Sequence, residues 1–365
     1  MTFDVAIVGG GPVGLAAALE VRARGLSAVV LERRTGDVDK ACGEGLMPSG
    51  CVALERLGAM RWLRADDCAA FTAIRYVQED GRGVQAALPA PGGLGVRRTA
   101  LRAALAREAG ERGVVLRDGC AVRAQDIGAD VVTLSTDAGD VTARFLVAAD
   151  GLHSPTRAAL GLERGTSGPR RFGLRQHFAL PPWAPRVEVH WSDGVEAYVT
   201  PAGVHRVGVA FLWEAGAIGE GAGIGALLAR FPVLGERLAG APPDSRPLGA
   251  GPLRQNVRAR TAPRAALVGD AAGYVDAITG DGLSIGFAQA RALAAVLPGA
   301  LSTGASVSSL ARYERESEAA FLRYERLADA LLWMARRPRL RRFVLHRLAE
   351  MPALFQFAVR RAMAT

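Results

Sequence analysis

Residues 3–32 read FDVAIVGGGPVGLAAALEVRARGLSAVVLE, and the order apolar run, glycine cluster, amphipathic stretch, apolar run decides the fold. Phe3 to Val8 is a continuous apolar strand and Gly9 to Gly14 the turn after it. Leu15, Leu19 and Val21 mark one stripe of a helix that Gly25 ends, and Ser27 to Glu32 is the next strand. A βαβ unit of about 30 residues therefore opens the chain. Within it Gly9, Gly11 and Gly14 stand at G-x-G-x-x-G spacing, with Pro12 at the helix start and Glu32 at the end of the second strand. This spacing lets the backbone approach a pyrophosphate whose charge meets a helix N-terminus, while Glu32 reaches ribose hydroxyls. The unit predicts a dinucleotide site and leaves NAD and FAD undistinguished.

Around this unit the chain runs to 365 residues, 50% hydrophobic and 22% charged, which excludes disorder and suits one large or two interlocked domains. Lys40 is the only lysine, so 44 of the 45 basic residues are arginine. The net charge is +9, yet from Arg312 onward 12 Arg face 6 Asp plus Glu, so +6 of it belongs to that tract. The remainder is near neutral and predicts no nucleic-acid partner. Cys42, Cys51, Cys68 and Cys120 show neither zinc nor disulfide spacing, and the five histidines are scattered, so no metal is expected and the compartment reads as reducing and cytoplasmic. No run approaches the ~18 apolar residues of a membrane span. Asp4 and the glycine cluster stand where a signal peptide has its basic and apolar regions.

Downstream, residues 99–113 predict a helix, and residues 130–150 a hairpin around Ala138-Gly139 feeding a buried strand that stops at Asp150-Gly151. Residues 171–213 alternate in several short runs with turn residues between them, the pattern of an antiparallel sheet. Residues 264–276 return to strand-turn-helix grammar, and 309–363 read as helices broken near Pro338 and Pro352.

AADGLHSPTR (148–157) and LVGDAAGYVDAITGDGLSIGF (267–287) resemble the second and third fingerprints of the p-hydroxybenzoate hydroxylase superfamily of FAD proteins. With the N-terminal glycines, the three stand in that superfamily's order over about residues 1 to 300. The resemblance implies a Rossmann-like, glutathione reductase-type FAD-binding domain (1–70, 97–165 and 255–300) and an inserted antiparallel-sheet substrate domain (71–96 and 166–254). The C-terminal helices (301–365) follow. It further implies that Asp270 holds the ribityl chain and that Gly280, Gly282 and Leu283 bring backbone amides to the flavin, where a helix N-terminus favours the reduced anion. Asp150 and Gly151 of the second fingerprint, with Arg157 paired to Asp150, would hold the loop beside the pyrophosphate. Arg98, Arg33 and Val122 complete the implied cofactor contacts, and NADPH or NADH is the implied reductant.

The segment Lys40-Ala41-Cys42-Gly43-Glu44-Gly45-Leu46 and Gly273 resemble the geranylgeranyl reductase branch, in which Cys42 runs past the flavin. Tyr198 to Pro201 resembles the strand that sets an aromatic and a proline over it, so Cys42 and Tyr198 are the candidate catalytic residues. Pro12-Val13 is more hydroxylase-like, while Ala277 and Asp281 depart from the reductase loop. The leading expectation is an NAD(P)H-dependent monooxygenase acting on a small hydrophobic or aromatic metabolite. The alternatives are a reductase of carbon-carbon double bonds in isoprenoid or lipid substrates and a non-catalytic electron-transfer flavoprotein. The Arg-rich C-terminal helices could contact anionic lipid, although solvated helices covering the substrate domain are the preferred reading.

Overall fold

The computed structural model describes residues 2–36, 39–166, 168–219 and 221–363. The first strand, Thr2–Val8, lies between Ala28–Glu32 and Val141–Ala148 and parallel to both. Val115–Asp118 and Ala265–Leu267 extend this sheet on either side. Parallel strands are covered on both faces, which is why they read as nearly unbroken apolar runs. One face carries the helices Pro12–Arg22, Arg98–Glu111 and Gly282–Ser302, whose Leu15, Leu19, Leu105 and Leu297 share one core with Val5, Ile7 and Phe145. Each such leucine contributes ~1.5–3 kcal/mol relative to exposure. The expected hairpin, Val132–Thr136 into Val141–Ala148, turns through Gly139 at φ +98. Its Val132 and Leu134 pack with Ala6, Val29 and Leu31 on the opposite face.

The alternating runs do form an antiparallel sheet, in the order Arg171–Phe178, Val207–Glu214, Val195–Pro201, Arg186–Ser192. Ala73–Val77 and Gly83–Ala87 extend one edge, and Leu248–Ala250 the other. Gly93–Val96 turns away from this sheet to pair with Gly45–Leu46 and Cys68–Phe71. A Cβ at Gly95 would fall 1.5 Å from the Pro201 carbonyl oxygen, so only glycine lets the small sheet press against the large one.

Two expectations change in the third fingerprint and the helix after it. The strand Ala265–Leu267 is followed by a single 3₁₀ turn, Gly269–Ala272, and the helix opens only at Gly282. That helix, Gly282–Ser302, reaches a mean hydropathy of 1.2 and is long and apolar enough to cross a membrane, although its sequence holds no unbroken apolar run of that length. In the fold it is a core helix, packed so closely on the first that a Cβ at Gly286 would lie 2.5 Å from Val13. Pro338 and Pro352 stand at the first positions of Pro338–Glu350 and Pro352–Met363, where a missing N–H costs nothing.

Candidate functional site

At the first turn the glycines divide the work. A Cβ at Gly9, whose φ is +110, would meet the Ala149 carbonyl at 2.4 Å, and one at Gly14 would meet the Gly9 carbonyl at 1.9 Å. Both are required by the packing of the turn itself. Gly11 differs: its Cβ would meet only Arg98 Nη2, at 3.5 Å, leaving open space at a helix N-terminus faced by a guanidinium. Pro12 begins that helix. The buried Glu32 carboxylate accepts from the Gly10 and Arg34 N–H groups at 2.9 and 3.0 Å, and its remaining lone pairs are available to hydroxyls. Arg33 is exposed at the rim, and Val122 packs beside Leu31 and Cys120. A glycine cradle, a facing cation and a carboxylate at the far end suit the phosphates and ribose of FAD.

The second and third fingerprints converge there. Asp150 accepts from the Thr156 N–H at 3.0 Å and from Ser154 Oγ. The expected Asp150–Arg157 pair does not form. Arg157, 1% exposed, reaches the other way to the Gln255 side chain at 3.0 Å, Leu152 O at 3.1 Å and Ala271 O at 3.3 Å, so it fastens one fingerprint to the other. Lys40 enters the gap between them. Its Nζ lies 3.1 Å from Asp270 Oδ2 and against Gly151.

From that gap a cavity opens that is lined by the antiparallel sheet, the Cys42 segment and the third fingerprint. Cys42, Arg98, Tyr198, Asp270, Gly280, Gly282 and Leu283 all line it, as do Tyr274 and Glu44, whose place no local sequence signal marks. Pro201 does not, since strand alternation points Tyr198 and Thr200 at the cavity and sends Val199 to the opposite cluster. Tyr198 donates to the Ile278 carbonyl at 3.2 Å. Burial, reinforced by Glu196, holds its phenol well above the usual value, so it keeps its proton. Behind it Arg171 pairs with Glu196 at 2.6 Å and Asp276 at 2.8 Å. Burial raises both acids.

A second buried network fixes the Cys42 segment. Glu44, in a left-handed conformation at φ +58, accepts from the Arg98 backbone N–H at 3.0 Å and pairs with His177 Nε2. Arg175 approaches His177 Nδ1 at 3.0 Å and Asp39 at 2.6 Å. A guanidinium only donates, so Nδ1 accepts and the ring proton stays on Nε2, aimed at Glu44. The Glu44 N–H meets Cys42 Sγ at 3.4 Å, so this network sets where the thiol stands.

Asp281, just before the helix that opens at Gly282, makes no side-chain cap bond. Burial pushes its carboxyl up from 3.8 to about 6. Such a group binds its proton more tightly in the folded state. The stability it contributes is full below about pH 4 and is lost as pH rises through about 6. In the flavin-free protein, Asp281→Asn is therefore expected to match the wild type below about pH 4 and exceed it above about pH 6. The ceiling is ~3 kcal/mol, and the partial exposure of the side chain reduces this to ~1 kcal/mol. Urea midpoints across pH measure it, and no gain at neutral pH would contradict it.

Comparison with known proteins now adds to this geometry. The FAD binding domain family matches residues 2–207. A menaquinone reductase of Mycolicibacterium smegmatis is 28% identical over 327 residues, 80% of this chain and 76% of that protein. An FAD-dependent monooxygenase of Beauveria bassiana is 32% identical over 171 residues, 44% of this chain and 40% of that protein. Among solved structures, a halogenase in complex with FAD superposes with a TM-score of 0.83 at 17% identity, covering 93% of this chain and 78% of that one. A flavoprotein/dehydrogenase from Cytophaga hutchinsonii gives 0.81 at 17% identity, covering 98% and 100%. These likenesses fix the fold, and the family match fixes the cofactor. The chain belongs to the FAD binding domain family and is an FAD-dependent oxidoreductase of the p-hydroxybenzoate hydroxylase superfamily.

Proposed function

We propose that this oxidoreductase is a reductase that saturates a carbon-carbon double bond in a long apolar substrate of the isoprenoid or quinone-lipid class. The cavity carries the reading. Met47, Phe71, Ile74, Val187, Leu253 and Ile278 wall it, a lining that suits an apolar chain rather than a polar ligand. Lys40 is engaged with Asp270, and Glu44 with His177, which suits a substrate without charge. The menaquinone reductase aligns over most of the chain, and the Cys42 segment and Gly273 resemble those of double-bond reductases.

Saturation needs a hydride, which bound FAD supplies after reduction by a nicotinamide cofactor, and a proton, which we assign to the cavity wall. Tyr198, kept protonated by burial, and Cys42 are the groups assigned to deliver it. The loop fixed by Glu44 and His177 holds Cys42 in place, and the apolar wall excludes water. Monooxygenation of a small aromatic compound is the second reading, favoured by Pro12-Val13 and by the Beauveria relative. Incubation with NADPH, a prenylated naphthoquinone and isotopically labelled oxygen gas separates the two. The reductase reading expects a product that, with its quinone ring reoxidised, still carries two added hydrogens in the prenyl chain and no label; a labelled product, or a prenyl chain left unsaturated, overturns it.

A further inference from the structure

We propose that the outward face of the last two helices docks on an anionic phospholipid bilayer. This inference rests on the surface and does not depend on the reductase reading. Of the thirteen large apolar side chains exposed among the described residues, four, Phe343, Met351, Leu354 and Phe357, belong to the last two helices and the residue that joins them, and they include both exposed Phe. Single exposed apolar residues are ordinary, whereas a cluster marks a contact surface.

The inner faces of both helices are fixed, which fixes the outer ones. Arg341 is fully buried and pairs with Glu79, and Leu345, Phe355 and Val359 share a core with Ile74 and Val187. Gln356 exchanges two hydrogen bonds with the backbone of Ala87. At about 100° per residue, a side chain two positions from such an anchor points the opposite way. Phe343 stands two residues from both Arg341 and Leu345, and Phe357 two from both Phe355 and Val359; they are 58% and 66% exposed.

Arginines come one turn away on the same faces. Arg339 and Arg347 lie four residues either side of Phe343, and Arg361 lies four after Phe357. The Arg347 guanidinium is 5.5 Å from the Phe343 ring centre, and on the preceding segment Arg337 is 4.0 Å from that of Trp333. Rings that project between flexible guanidinium groups can enter the acyl boundary while the arginines remain with the phosphates. Over Pro338–Met363 six Arg oppose one acid, Glu350, and only Arg341 among them is buried, so this face attracts anionic lipid and repels a second copy of itself.

Co-sedimentation of the FAD-loaded full chain with phosphatidylcholine vesicles, containing or lacking phosphatidylglycerol, tests the proposal. The wild type is expected to pellet with the anionic vesicles, to stay in solution with the neutral ones and to be released by high salt. The double variant Phe343→Glu, Phe357→Glu is expected to stay in solution with its flavin absorbance intact, and Arg339→Gln to weaken binding about fivefold. Equal pelleting with both vesicle types, or undiminished pelleting of the double variant, overturns the proposal. So does a wild-type dimer that the double variant abolishes without any vesicle binding, or retention by duplex DNA in place of vesicles.

Discussion

Gly14→Ala is expected to yield a protein without flavin and without a cooperative thermal transition, whereas Gly11→Ala is expected to fold and lose cofactor affinity. The methyl at position 14 would stand 1.9 Å from the Gly9 carbonyl oxygen and 3.2 Å from Ala149 Cβ. Relief requires the first helix to lift from the sheet, which exposes Leu15, Leu19 and Val21. Overpacking in adaptable cores costs ~1–3 kcal/mol, and a clash of the first helix with the carbonyl of the turn before it exceeds that range in a fold stable by ~5–15 kcal/mol. At Gly11 the backbone is extended, φ −74 and ψ 174, so alanine is unstrained and flavin-free stability should stay within ~0.5 kcal/mol. The added methyl occupies the space assigned to the pyrophosphate. Thermal unfolding of the two flavin-free variants, followed by FAD titration, separates the roles, and identical behaviour would remove them.

Asp270→Ala is expected to weaken FAD binding tenfold to a hundredfold, while Asp281→Ala leaves it nearly unchanged. Asp270 lines the cavity and carries the Lys40 ion pair, and its loss removes a charge-assisted hydrogen bond of ~1.5–3 kcal/mol. Asp281 precedes the same helix but is not among the residues that line the cavity. Fluorescence quenching of FAD by the flavin-free proteins gives both affinities. Equal values would defeat the assignment of Asp270 to the ribityl chain.

What could be read in advance follows from the range of each interaction. The βαβ unit, the hairpin and the antiparallel runs announce themselves through periods of 3.6 and 2 that a short window contains. The Glu44–His177 pair spans 133 residues and leaves no local mark, so the network that places Cys42 cannot be read from CGEG alone. Arg157 lies seven residues after Asp150, close enough to suggest a pair, yet its guanidinium is spent on Gln255 and on backbone 114 residues away. Pro201 was assigned to the flavin by resemblance, and alternation along its strand removes it. Gly45–Leu46 is too short to signal a strand; only Gly95, pressed against Pro201, shows why the small sheet exists.

Saturation of a double bond in this cavity by bound reduced flavin would need no oxygen. An anaerobic single turnover tests this, in which the FAD-loaded protein is reduced by light, freed of excess reductant and mixed with a prenylated naphthoquinone while flavin absorbance is followed. The yellow absorbance is expected to return in the absence of oxygen, and the product, once its quinone ring is reoxidised, is expected to keep two added hydrogens in its prenyl chain. Absorbance that stays bleached until oxygen is admitted, with oxygen then appearing in the product, would contradict it.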